Sequence, residues 1–397
     1  MNRVDELIAQ LAPNGVEFRP LGTLGRRNPG TPITAAKMKL IGANAGPIRV
    51  FAGGRTVADV AEDAIPAAHV VREASIIVKS RGHIGFSYYE RPFTHKSELW
   101  SYTLNSPEVD QKFVYYFLLT KVGALQELAR ATSVKLPQLS VRDTDGLRIP
   151  VPPLEVQREI VRILDRFTEL EAELEAELEA RRSQHAFYWE TLLSPREGWR
   201  DVTIGEVAQV FDGPHATPKK TPSGPWYLSI SSLKNGRFDL TESAHLGEEE
   251  LPKWTRRVAP SRGDTMFSYE TRLGQAAFWD SDQPAALGRR MGLLRPRQSV
   301  VDPRFLTLVY LGPQFQAVIK ARTVSGSTVD RIPIADMASW KLAIPGLDEQ
   351  RRIVRDLDKF DALVNDLSDG LPAELAARRK QYEYYRDKLL TFKELAS

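Results

Sequence analysis

The sequence predicts an α+β protein in which two globular modules are separated by two long helices packed as an antiparallel coiled coil, with pseudo-twofold potential. Three observations predict it. One fourteen-residue stretch is written twice, LEVQREIVRILDRF at 154–167 and LDEQRRIVRDLDKF at 347–360, 193 positions apart. Each copy opens a run whose apolar residues fall three and four apart, the period of one helix face. The segments between carry short β-rich runs broken by Gly and Pro. A repeat of this period sets the architecture of the whole chain.

The four segments follow in order. Residues 1–150 form the first module, with a short amphipathic helix in MNRVDELIAQLAPNG. Residues 151–195 form the central helix. Its apolar stripe is Ile160, Leu164, Phe167, Leu170, Leu174 and Leu178, with Pro152 and Pro153 ahead of it and Ser194-Pro195 closing it. About 39 helical residues would span roughly 60 Å, a rod rather than a core helix. Residues 196–343 form the second module and residues 344–397 the second rod. There Ile353, Leu357, Phe360, Val364, Leu367 and Leu371 alternate spacings of four and three, a coiled-coil seam. Gly370 and Pro372 should kink or restart this helix. The repeat then resumes, with ARRSQHAFYWETLL (180–193) answered by ARRKQYEYYRDKLL (377–390) at an offset of 197. The four added residues are about one turn, so the faces stay in phase. Two such rods bury their stripes on each other.

The modules echo each other more faintly. Gly15…Leu21-Gly22 answers Gly198…Ile204-Gly205, Gly46-Pro47 answers Gly224-Pro225, and SIIVKSRGHIG (75–85) loosely matches DTMFSYETRLG (264–274). Strands are expected at 47–51, 74–78 and 226–230, and neither module shows sustained helical periodicity.

Composition bounds the function. The chain has 397 residues, 42% of them hydrophobic, enough for two cores. With no cysteine, disulfides and thiolate metal sites are excluded, which suits a reducing cytoplasm. No secretory h-region and no apolar run of about 18 residues appears, so a cytoplasmic protein is expected. P-loop, HExxH and nucleophile-elbow motifs are absent, and six scattered histidines make no metal set. No catalytic residue is assigned, and no cofactor or metal is expected in this chain.

Charge points to nucleic acid at the modules. Segment 151–194 holds five Arg against ten Asp and Glu, a net of −5, while the whole chain is +3. The rest therefore carries +8. Basic, hydroxyl and aromatic residues interleave at Lys79, Ser80, Arg81, His83 and Lys96 in the first module. The second offers His215, Lys219, Lys220, Tyr269, Arg272, Arg289, Arg290, Ser327 and Arg331. Such residues suit phosphates and base edges.

The ordered motifs resemble the specificity subunits of type I restriction-modification systems. IPVPPLEVQREIVRILDRF and AIPGLDEQRRIVRDLDKF look like the openings of that family's conserved regions, and the paired ARR…LL stretches look like their ends. DGPHATPKKTPSGPWYLSISSLKNGRFD (212–239) is similar to the start of a target-recognition domain, and GSTVDRIPIADMASWKLAIP (326–345) to its run-out. The first module departs from this, since SVKLPQLSVRDTDGLRIPVP lacks the Gly-Ser-Thr.

The resemblance implies that each module reads one half of a bipartite site in double-stranded DNA. The helices would set the spacer and dock two methyltransferase subunits, and through them restriction subunits. Adenine-N6 methylation and ATP-dependent cleavage, with S-adenosylmethionine, ATP and Mg, would belong to those partners. The alternatives are a recognition subunit serving a single partner that both cuts and methylates, a coiled-coil protein-interaction scaffold, and a metal-dependent nuclease. A DNA reader loses affinity steeply as salt rises, which a scaffold does not.

Overall fold

The computed structural model describes residues 3–42, 45–54, 56–132, 136–326, 329–365 and 370–395. The chain forms two compact units, residues 1–175 with 375–397, and residues 176–374. The first rod helix runs unbroken over Leu154–Leu192 and contributes to both. The second rod is two helices, Leu347–Asn365 and Leu371–Leu389. The restart expected at Gly370 and Pro372 is present, with Pro372 in a first turn, where no intrahelical N–H is needed. Leu367 lies outside the described residues.

In the first unit, a four-stranded antiparallel sheet runs in the order Gly25–Asn28, Trp100–Leu104, Ser75–Lys79, Gly85–Tyr89. A three-stranded sheet joins Val57–Val60, Ile48–Phe51 and Phe93–His95. A ribbon of Glu17–Pro20 with Arg148–Val151 closes the module beside the rod. The second unit repeats this plan. Its four-stranded sheet is Ala208–Asp212, Met291–Pro296, Thr265–Ser268, Ala276–Phe278, its three-stranded sheet is Ala244–Leu246, Lys220–Tyr227, Ala285–Ala286, and its ribbon is Arg200–Thr203 with Lys341–Ile344. The faint echo of 75–85 in 264–274 therefore marks equivalent hairpins. The run expected at 226–230 is strand only to Tyr227, after which Ile230–Ser232 turns as a 3-10 helix.

Each module also has two helices that periodicity does not show, Gln111–Leu119 with Val122–Thr132, and Pro303–Leu311 with Pro313–Arg322. QKFVYYFLL and PRFLTLVYL are apolar nearly all round because both are buried between sheet and rod. Such helices carry no stripe.

These helices explain the repeated motif. Gln157 is fully buried. Its Oε1 accepts the Asp110 N–H at 2.8 Å, and its Nε2 donates to the carbonyls of Glu108 (2.8 Å) and Pro152 (2.6 Å). Gln350, the same position of the second copy, accepts the Asp302 N–H at 2.8 Å and donates to Val300 (3.3 Å) and Pro345 (2.8 Å). Asp110 and Asp302 are themselves the N-caps of the first module helices. Two turns on, Asp165 accepts from Lys112 (2.8 Å) and Tyr116 (2.5 Å), and its counterpart Asp358 from Arg304 (2.8 Å). One clasp, used twice, hangs each module on its rod.

The rods run antiparallel within each unit. Phe167 stacks on Tyr385 with centroids 5.7 Å apart, and Arg379 pairs with Glu171 at 2.7 Å. In the other unit Tyr188 stacks on Phe360 at 5.0 Å. The stripe is shared, however. Ile160 and Leu164 lie in one buried cluster with Phe113 and Phe117, and Ile353 and Leu357 in one with Phe305 and Leu308. The start of each rod faces its own module. Leu170 and Leu174 are half-buried and Val364 is buried.

A polar network crosses the first module's core. Asn28 Nδ2 donates to Ser101 (3.1 Å) and Thr103 (2.8 Å), and His95 Nε2 lies 3.1 Å from Ser101 Oγ. Burial pushes the His95 imidazole down to about 4.

Gln157→Ala and Gln350→Ala each strand one buried N–H and two carbonyls. Each should lower the stability of its own unit by about 1–3 kcal/mol in denaturant unfolding, even though an alanine is a better helix former. For His95 the folded value lies below the unfolded one near 6.5, so the fold is favoured above that pH. Protons bind the unfolded chain first as the pH falls, and stability declines from pH 6.5 down to about 4, by about 3 kcal/mol in all. His95→Gln should flatten the pH dependence of thermal melting between pH 6.5 and 5 relative to the parent chain.

Candidate nucleic-acid interface

Strand register brings the second module's candidates together. Asp212 pairs with Gly292, Ser268 with Met291, and Phe267 with Ala276. The loops after Asp212, before Met291 and after Ser268 therefore emerge at one end of the sheet. Gly213 makes this approach possible, since a Cβ there would lie 2.1 Å from the Met291 carbonyl oxygen. His215, Tyr269, Arg272, Arg289 and Arg290 all stand on these loops. Arg331 joins them through a bridge between its backbone and that of Glu270. Lys219 and Lys220 are exposed at the start of the neighbouring strand.

These side chains are wired rather than loose. His215 Nε2 lies 3.1 Å from Asp212 Oδ2, and Arg290 Nη1 donates to His215 Nδ1 at 2.9 Å. The same Nη1 is 3.1 Å from Glu270 Oε1. The acceptor role of Nδ1 places the imidazole proton on Nε2, facing Asp212. Arg257 reaches Asp212 at 3.5 Å. Tyr269 is buried, and burial beside Asp212 pushes its hydroxyl well above the ordinary range. A cleft of ≈ 220 Å³ opens here, lined among others by Asp212, His215, Trp254, Arg256 and Arg257.

Arg272, a candidate DNA contact, is exposed and also braces the main chain. Its guanidinium donates to the carbonyls of Ser231 (3.1 Å), Leu233 (3.1 Å) and Ile230 (3.3 Å). Thr271 and Arg272 are both left-handed, at φ 45° and 46°, and these bonds hold that strained turn against the preceding loop. Nη1 and Nη2 serve these three carbonyls, while the residue itself remains exposed.

The first module builds the equivalent end. Val78 pairs with Trp100 and Lys79 with Gly85, so the 80–84 turn meets the loop before Trp100. Arg81 bridges Gln138 by its backbone, as Glu270 does Arg331. Ser80 is buried and its Oγ donates to the Glu98 carbonyl. Lys96 pairs with Glu98 at 2.8 Å. Lys79 is half-buried, and Arg81 and His83 are exposed. A wider cleft of ≈ 630 Å³ beside them is lined in part by Lys39, Lys96 and Glu98. Ser327 lies outside the described residues.

A search for basic and aromatic residues finds these loops but misses Asp212, Glu270 and Glu98, the acids that orient the bases. Their signal was present only as an acid within a few residues of a candidate cation. Among the described residues no cluster of His, Asp or Glu could hold a metal ion, and no helix is long and apolar enough to cross a membrane.

Comparison with known proteins agrees with this duplicated geometry. Residues 39–180 and 196–377 each match the type I restriction modification DNA specificity domain. The chain is 33% identical over 301 residues to the type I restriction enzyme EcoR124I/EcoR124II specificity subunit of Escherichia coli, covering 71% of this chain and 70% of that one. It is 30% identical over 294 residues to a putative type I restriction enzyme specificity subunit of Haemophilus influenzae, covering 72% and 73%. Its fold is similar to the crystal structure of a type I restriction-modification S subunit from M. genitalium, with a TM-score of 0.58 and 16% identity over 95% of this chain and 96% of that one. The chain belongs to the type I restriction-modification DNA specificity family and carries its domain twice.

Proposed function

We propose that this chain is the DNA-recognition subunit of a type I modification and restriction complex, each module reading one half of a bipartite site in double-stranded DNA. The observation that carries this reading is the duplicated basic sheet end, held on its rod in both units by the same glutamine and aspartate. A rigid hanger of this kind suits a reader whose side chains must meet base edges at fixed positions. The candidate contacts are Lys79, Arg81, His83 and Lys96 in the first module. In the second they are His215, Lys219, Lys220, Arg289, Arg290 and Arg331. Arg272 is a further candidate that also braces its own turn, and Ser80 and Tyr269 support the loops that carry the others.

The rods set the length of the unread spacer and offer repeated surfaces to two methyltransferase subunits, through which restriction subunits join. Adenine-N6 methylation with S-adenosylmethionine, and cleavage with ATP and Mg, are carried out by those partners. Reaching adenine N6 requires the base to leave the stack, so the recognition chain holds the duplex in register while its partner reacts. The test is methylome sequencing of cells carrying the complete operon with and without this gene. A bipartite methylated motif that vanishes with the gene supports the reading, and a methylome indifferent to the gene overturns it.

Replacing residues 198–343 by the equivalent module of a relative should change one half-site and leave the other intact. Inserting four residues between Leu170 and Ala180 adds about one turn, roughly 6 Å, and should lengthen the spacer without altering either half-site. Both outcomes are read directly from the methylated motif.

A further inference from the structure

Arg290 is one of four non-glycine residues at positive φ among the described residues, at 65°. Glycine would occupy that conformation without strain, whereas a side chain there is uncommon and costly. Such strain is retained where the surroundings enforce it and concentrates at functional sites. The surroundings here do enforce it. The Arg290 N–H donates to the Pro214 carbonyl at 3.1 Å, and its own carbonyl accepts from Tyr269 at 3.4 Å.

The side chain is equally constrained. Glu270 and His215 both engage Nη1, one of the three guanidinium nitrogens. His215 is held in turn by Asp212 at 3.1 Å. Arg290 is only 30% exposed and Glu270 19%. Arg289, next in the chain, is exposed. Two neighbouring arginines at the same sheet end thus differ in kind.

The difference decides between phosphate and base. Glu270 offsets much of Arg290's charge, which weakens its attraction for phosphate. Nη1 is taken by His215 and Glu270 and Nε is buried, so Nη2, held in a fixed plane, is the donor left for an O6 or N7 acceptor of guanine. An exposed arginine outside any such pairing suits a phosphate instead. We propose that Arg290 reads a guanine in the half-site of the second module, that His215 and Glu270 are positioning residues holding its guanidinium plane, and that Arg289 contacts the phosphate backbone. The proposal rests on the reading of that module as a DNA reader.

The test uses the complete complex with its partner subunits, with the methylome sequenced for each variant. Arg290→Gly removes the guanidinium at a position where glycine suits the backbone. It should leave the first half-site and the spacer intact while preference at one G·C pair of the second half-site falls about 10-fold or more. Arg290→Lys keeps the charge without the guanidinium plane, so its ammonium cannot hold His215 and Glu270 while presenting a donor at a fixed angle, and it should relax the same pair. His215→Ala should relax that pair more weakly, and His215→Asn, whose Oδ1 can accept from Arg290, should restore it. Arg289→Ala should lower methylation at all sites alike and reduce the salt slope of duplex binding by about one.

Full second-half-site preference in an assembled Arg290→Gly complex would overturn the assignment. Should that variant not assemble, unchanged preference in Arg290→Lys overturns it equally. Unchanged preference in His215→Ala overturns the positioning role. A parent complex whose methylome lacks any bipartite motif dependent on this chain overturns the recognition reading itself, a result distinct from all of these.

Discussion

The buried amide of Gln157, and of Gln350 in the other unit, is the contact on which the rest of the architecture hangs. Apolar burial holds each rod against its module but does not choose an angle. The amide does. It has one acceptor and two donors to satisfy in a water-free seam, and it satisfies them with one N–H and two carbonyls from two different segments. Any slip of the rod against the module would strand the Asp110 N–H and the Glu108 carbonyl. Asp165 and Asp358 add a second, charged point two turns along, so that both tilt and rotation are specified. The fourteen-residue motif is repeated because the joint is repeated.

From that joint the sheets project their loops to one end, where backbone strain and polar wiring appear together. Arg272 and Arg290 are both left-handed, and their side chains are held by different partners. Arg272, though exposed, donates to three carbonyls and braces the strained turn. Arg290 is gripped at one nitrogen by His215 and Glu270 and stays partly exposed. In the first module Lys96 and Glu98 hold a similar pairing at the equivalent place. The frame recurs while the side chains on it differ.

The rods, their order and their break were legible because helix periodicity is a local property. Gln111–Leu119 and Pro303–Leu311 were not, since a helix buried on every side has no polar face to give it a period. At the sheet ends, Lys79, Arg81, His215 and Arg290 were found by their chemistry. The acids Glu98, Asp212 and Glu270 were passed over, because a carboxylate that orients a base looks like any surface carboxylate until its partner is known.

The doubled motif alone therefore settles that there are two rods and two modules in alternation, because spacing along a helix needs only neighbours a turn away. It does not settle what each position of the stripe touches. Ile160 and Leu164 face the module while Phe167 stacks on Tyr385 of the other rod, although all three share one helical face. Apolar residues at the same spacing are interchangeable to a local pattern. Their partners lie tens to hundreds of residues away and are chosen only when the polar clasp fixes the angle at which rod and module meet.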